Sequence, residues 1–155
     1  MSKLFDAIED WFLAITLGAM LLLNFGNVLS RYFLNLSMSF TEEITTNLFV
    51  WSCFFGAAAA AKRGAHLGLS LFTDMLSAKW QRVCALFVTL LALIMFAVII
   101  WTSIGMVQSQ IASKQTTPAL GIPEWTMGIA VPVGAAFCFV RFAQAGWLAW
   151  RKGGN

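Results

Sequence analysis

The chain has 155 residues, of which 59% are hydrophobic and only 11% charged, with a net charge of +3. A water-soluble domain carries about 25% charge, so lipid is expected to be the main solvent. The basic residues sit at the ends of apolar runs and form no stripe, which argues against a nucleic-acid-binding domain.

No Asp, Glu, Lys or Arg falls in 11–30, 44–61, 83–113 or 125–140. Crossing about 30 Å of hydrocarbon takes roughly 20 mainly apolar residues at 1.5 Å rise. Four spanning helices are therefore predicted at approximately 11–31, 42–61, 83–110 and 124–148, forming one four-helix membrane domain over 1–155. The runs lack the alternation of a membrane barrel, so the fold class is an all-α integral membrane protein.

Ahead of the first run, Leu4, Phe5 and Ile8 read as one side of a short amphipathic lead-in. The run is followed by no A-x-A-like cleavage site, so it is expected to remain as an anchor. Asn24, Asn27 and Arg31 lie three and four residues apart and share one helix face, with Ser30 beside it. A polar seam toward lipid is costly. It is expected to meet either an internal partner or another subunit.

The first connector ends in SFTEE, where Ser39 and Glu42 fit the S-x-x-E capping box. Glu42 and Glu43 also suit the positive end of a helix dipole. Along the second helix Ser52, Gly56 and Ala60 recur every four residues, the small-residue spacing that lets backbones approach in lipid. Asn24, Asn27, Arg31, Glu42, Glu43, Ser52, Gly56 and Ala60 are the candidates for contact with a larger subunit.

Gly64 is a natural stop for the second helix, and HLGLSLFTDMLSAKWQR then places Leu69, Phe72, Met75 or Leu76 and Trp80 at helical spacing. This reads as an amphipathic segment lying on the membrane surface. The third helix is longer than a bilayer requires, so it is expected to tilt or protrude. After it, SKQTTPALGIPEW brackets Gly121 between Pro118 and Pro123, which predicts an ordered turn. Pro123 suits a helix start with Glu124 in the first turn, and Pro132 is expected to kink the fourth helix. Arg141 is expected to reach the headgroups of the nearer leaflet.

The basic residues set a topology. Lys3, then Lys62, Arg63, Lys79 and Arg82, then Arg151 and Lys152 fall in alternate segments, against Arg31 and Lys114 in the others. The positive-inside rule places both termini and the second connector in the cytoplasm. Trp11, Trp80, Trp125, Trp147 and Trp150 fall at predicted helix ends, where amphipathic rings anchor among headgroups. Trp51 and Trp101 fall within spans and are expected to pack on lipid or on neighbouring helices.

Chemistry is sparse. There is one histidine, His66, and no C-x-x-C among Cys53, Cys84 and Cys138. That inventory supports neither haem nor zinc, so no cofactor is expected. No nucleophile has a base beside it and no phosphate-binding glycine motif occurs, so an enzyme is not expected. Every acid lies at a helix end or in a connector, whereas a coupled carrier places ionisable groups within the membrane. An accessory or scaffold subunit is the resulting expectation. The alternative is a self-sufficient four-helix exporter acting as a homodimer.

NVLSRYFLN, SFTEEI leading into LFVWSCFFGAAAAAKRGAHLGL, and QTTPALGIPEWTMGIAVPVG occur in this order. Together they resemble the DctQ-like small membrane subunit of TRAP transporters. Arg31, Glu42, Glu43, Arg63, His66, Pro118 and Pro123 occupy the family's motif positions, while Phe40 and Ser70 stand where members carry Trp and Asp. The resemblance implies a multi-pass subunit of the bacterial cytoplasmic (inner) membrane. It implies a large multi-helix permease partner that carries solute and sodium by symport. It also implies a periplasmic solute-binding protein that delivers a carboxylate of the C4-dicarboxylate or sialic acid class. In that setting Arg31, Lys114 and Gln115 are the candidates for touching the binding protein.

Overall fold

The computed structural model describes residues 2–36, 38–62 and 78–152. Among these the chain is helical, with α1 at Ser2–Leu29, a π-helical turn at Ser30–Leu34, α2 at Ser39–Lys62, α3 at Ala78–Ser113, a short α4 at Trp125–Gly128 and α5 at Ala130–Lys152. Four stretches are long and apolar enough to cross a membrane: Asp10–Leu34, Ser39–Ala61, Leu86–Ser113 and Trp125–Trp147. They lie within a few residues of the charge-free runs. The chain is a multi-pass membrane protein.

The ends of these helices have local causes. α1 closes through a π turn in which the Ser30 carbonyl accepts the amides of Asn35 and Leu36, with Asn35 at φ 52°. Asn tolerates that left-handed conformation better than most residues. The connector then doubles back tightly. Asn27 Oδ1 accepts the Met38 amide at 3.0 Å, and Ser30 Oγ donates to the Leu36 carbonyl at 3.0 Å. Asn27 of the predicted polar seam and Ser30 beside it are thus engaged within the chain, and Asn24 donates to its own Met20 carbonyl.

The expected capping box does not form. α2 starts at Ser39 itself, Thr41 N–H bonds the Met38 carbonyl, and Ser39 and Glu42 make no capping bond among the described residues. At the other end of the chain, the helix is interrupted at Ile129, which keeps right-handed angles of φ −63° and ψ −18°. The cause is Pro132, which has no N–H for the Gly128 carbonyl and whose ring crowds it. α3 has 36 residues, roughly 54 Å at 1.5 Å per residue, and so exceeds a bilayer as expected. It already includes 78–82, which the sequence places in the surface segment. The remainder of that segment, with His66, lies outside the described residues, as does Arg63.

Residue pairings fix the helix directions. Ser52 meets Thr16 and Phe55 meets Phe12, so α1 and α2 run antiparallel. Asn47 meets Met127 and Phe54 meets Cys138, so α2 and α5 run parallel. Phe96 meets Phe142, and Thr89 lies against Gly146, so α3 and α5 run antiparallel. The packed pairs are α1 with α2, α2 with α5 and α5 with α3. In space the helices therefore stand in the order α1, α2, α5, α3. The share of each span buried agrees with a row: 6% and 11% for the outer two, 22% for each of the inner two.

The core lies along α5. Ala58 of α2, Phe96 of α3 and Ala135 and Cys138 of α5 are buried together, with Phe54, Ile99, Phe137 and Phe142 packed against them. A Cβ at Gly134 would stand 2.5 Å from the Phe54 ring, so this glycine permits the close approach of α2 and α5. Cys138 Sγ donates to the Phe54 carbonyl at 3.0 Å. The small-residue seam thus lies on α5 and on Ala58 and Ala61 of α2. It does not follow the Ser52, Gly56, Ala60 stripe: Ser52 turns to α1, Ala60 is exposed, and a Cβ at Gly56 would meet nothing within 4 Å.

Candidate functional site

The connectors that follow α1 and α3 lie at one end of the helix row, where the second of them is bonded to the first turns of α2. The α3–α4 connector begins where Lys114 takes φ 50°, uncommon for lysine, and turns the chain out of α3. Thr116 and Pro123 pair as an antiparallel bridge, Thr117 N–H donates to the Ile122 carbonyl at 2.8 Å, and Gly121 N–H donates to Thr117 at 3.0 Å. Glu124 N–H donates back to the Gln115 carbonyl at 2.9 Å. The two prolines therefore close a compact hairpin, as the sequence predicts.

Glu43 fastens this hairpin to α2. Its Oε1 accepts the Ala119 amide at 2.7 Å and its Oε2 accepts the Leu120 amide at 3.1 Å. The Leu120 amide is one the hairpin leaves unused, and a carboxylate is the strong acceptor for two adjacent amides. Deeper in, Asn47 Nδ2 donates to the Met127 carbonyl at 3.0 Å, and the Gln110 side chain lies against Gly128. Both reach the interruption that Pro132 makes between α4 and α5. Glu43 and Asn47 thus tie α2 to the hairpin and to the connector end of the fourth span, and Gln110 of α3 packs against the same place.

The other predicted residues are distributed as follows. Arg31 lies in the π turn and is exposed, as are Glu42, Lys114, Gln115, Pro118 and Pro123 at the same end. Asn27 is half-buried at the first connector. Asn24 is exposed on α1 and Ala60 on α2, while Ser52 bonds Thr16 of α1 and Gly56 is half-buried. Trp11, Trp125 and Trp147 stand exposed at or next to the ends of spans, and Trp80 is exposed in the first turn of α3. The side chain of Trp150 lies outside the described residues. Arg141 lies 5.4 Å over the Phe137 ring, with Nη1 3.4 Å from Gln144 Oε1. Among the described residues no cluster of His, Cys, Asp and Glu could hold a metal, and the three cysteines are free thiols.

Sequence reading missed the Glu43 clasp, Asn47, Gln110 and Gly134. One signal was present for the first: Pro118 begins a turn whose next two amides need an acceptor, and the chain has few carboxylates to offer.

Comparison with known proteins fits this architecture. The family model for the DctQ component of tripartite ATP-independent periplasmic transporters matches residues 20–152. The C4-dicarboxylate TRAP transporter small permease protein DctQ of Vibrio cholerae is 35% identical over 81 residues, 52% of this chain and 35% of that protein. The sialic acid TRAP transporter small permease protein SiaQ of the same organism is 27% identical over 141 residues, 91% of this chain and 80% of its own. The ectoine TRAP transporter small permease protein TeaB of Halomonas elongata is 27% identical over 142 residues, 92% and 74%. The chain spans about half the length of the DctQ proteins of Pseudomonas aeruginosa and Rhodobacter capsulatus, 52% in each case. The family consists of transporter membrane subunits, not enzymes. With a match over residues 20–152, most of its length, this chain belongs to the DctQ component family of the tripartite ATP-independent periplasmic transporters.

Proposed function

We propose that this protein is the small, non-transporting membrane subunit of a sodium-driven importer in the bacterial inner membrane. In this reading it anchors a large permease subunit and helps to seat a periplasmic solute-binding protein. The observation that carries the reading is the row of helices. A coupled carrier encloses its solute and cation between helices, whereas among the described residues the packed pairs set the helices in a row, α1, α2, α5, α3. Their broad, apolar, exposed faces suit a lipid belt and one extended partner.

Both termini lie in the cytoplasm in this proposal, on the Lys/Arg asymmetry, so the Glu43 clasp faces the periplasm. Lys114 and Gln115 then stand exposed on a hairpin held at both ends, a rigid platform for a soluble partner. Glu42, Gly56 and Ala60 lie on open parts of α2 and are the candidates for the large subunit, with Asn24 on α1. The solute is a carboxylate of the C4-dicarboxylate or sialic acid class. The relatives' names cover C4-dicarboxylate, sialic acid and ectoine at 27–35% identity, which supports placing recognition of the solute outside this subunit.

The test is affinity purification of the tagged full chain from solubilised membranes, paired with uptake assays in whole cells. The large permease subunit is expected to co-purify in near-equal amount. Lys114→Glu is expected to slow uptake several-fold and leave that co-purification unchanged. Purification of the chain without a permease, or unaltered uptake by the variant, would count against the anchoring and docking roles respectively.

A further inference from the structure

We propose that the pocket formed by Val28, Arg31, Tyr32 and Asn35 binds the phosphate of a membrane phospholipid. The pocket has a volume of about 660 Å³. Arg31 lies 21 residues after Asp10 in the first span, about 32 Å along a helix axis at 1.5 Å per residue. That is the thickness of the hydrocarbon layer. If Asp10 lies at one headgroup level, Arg31 lies at the other.

Among the described residues Arg31 has no ion-pair or hydrogen-bonded partner, and Glu43 is engaged with the Ala119 and Leu120 amides. Nor is Arg31 occupied in closing α1, because the Ser30 carbonyl already accepts two backbone amides. A planar guanidinium pairs with two phosphate oxygens at once. The Tyr32 phenol and the Asn35 amide supply further donors beside it.

The surroundings select a lipid over other anions. Val28 and Leu29 below Arg31, and Phe33 and Leu34 beside it, are exposed apolar side chains. They belong to the least buried of the four spans. A charged head above an apolar, unpartnered flank matches a phosphate ester followed by acyl chains. The inference needs only the spanning reading of α1. It does not rest on the partner assignments, so failure of co-purification leaves it standing.

The experiment is native mass spectrometry of the purified, delipidated full chain. The chain is re-exposed in detergent to equimolar phosphatidylglycerol and diacylglycerol with matched acyl chains. At least a roughly tenfold preference for the phosphate-bearing lipid is expected, the size of one charge-assisted contact. Arg31→Gln is expected to bring the two lipids to parity, and Arg31→Lys to keep part of the preference, with helical circular dichroism unchanged in both. Parity in the native chain, or an undiminished preference in Arg31→Gln, overturns the proposal. So does displacement of the lipid by millimolar inorganic phosphate, which would make the pocket a simple anion site. If Arg31→Gln keeps its lipid but no longer co-purifies the permease, Arg31 is a protein contact and the proposal also fails.

Discussion

Glu43 receives amides from a connector 76 and 77 residues further along the chain. Beside the Ser39–Glu42 capping pattern, a second carboxylate at the helix start reads most simply as a local partner of the helix dipole, and local sequence supplies no reason to prefer a distant acceptor role. The capping pattern was legible and its use was not, because the preference depends on where the third connector lands. The bonds are charge-assisted but exposed, so on their loss water can reach both amides. Glu43→Ala is expected to cost about 0.5–1.5 kcal/mol. The effect is expected at the hairpin first: hydrogen exchange at Ala119 and Leu120 should accelerate several-fold while the centre of α2 stays protected. Equal acceleration along α2 would show that Glu43 acts as a helix cap after all.

The helices were legible because a run without charge, about 20 residues long, has one stable solution in lipid. Which faces pack was harder to read. The GAAAAA stretch of α2 is small on every side, so spacing alone cannot choose between Gly56 with Ala60 and Ala58 with Ala61. The buried choice is set by α5, whose Gly134 admits the Phe54 ring. Substituting one glycine on each face separates the two. Gly134→Val is expected to destabilise the chain by about 1–3 kcal/mol through overpacking. Gly56→Val has open space for its side chain and is expected to change stability by less than about 0.5 kcal/mol. Thermal unfolding in detergent micelles measures both. The reverse order would mean that the close seam runs along Gly56. Pro132 was read correctly as a disturbance of the fourth helix. Its effect falls four residues earlier, at the carbonyl it cannot serve, and that is where Asn47 and Gln110 converge.

At the scale of the molecule, sequence supplied the number of spans and their lengths but not their spatial order. Adjacent helices pack in hairpins by default, which would set α2 beside α3. Here the parallel pair α2 and α5 intervenes, joined through Phe54, Ala58 and Cys138, and α3 is displaced to the edge. Among the described residues, a row built this way exposes most of each outer span and encloses no path for a solute or a cation. The central claim is therefore that the chain supports transport without conducting it. The most direct test is accumulation of labelled succinate and labelled sialic acid under an inward sodium gradient, in vesicles holding the purified chain alone. The account predicts uptake indistinguishable from protein-free vesicles. Concentrative accumulation of either solute by the chain alone would contradict it.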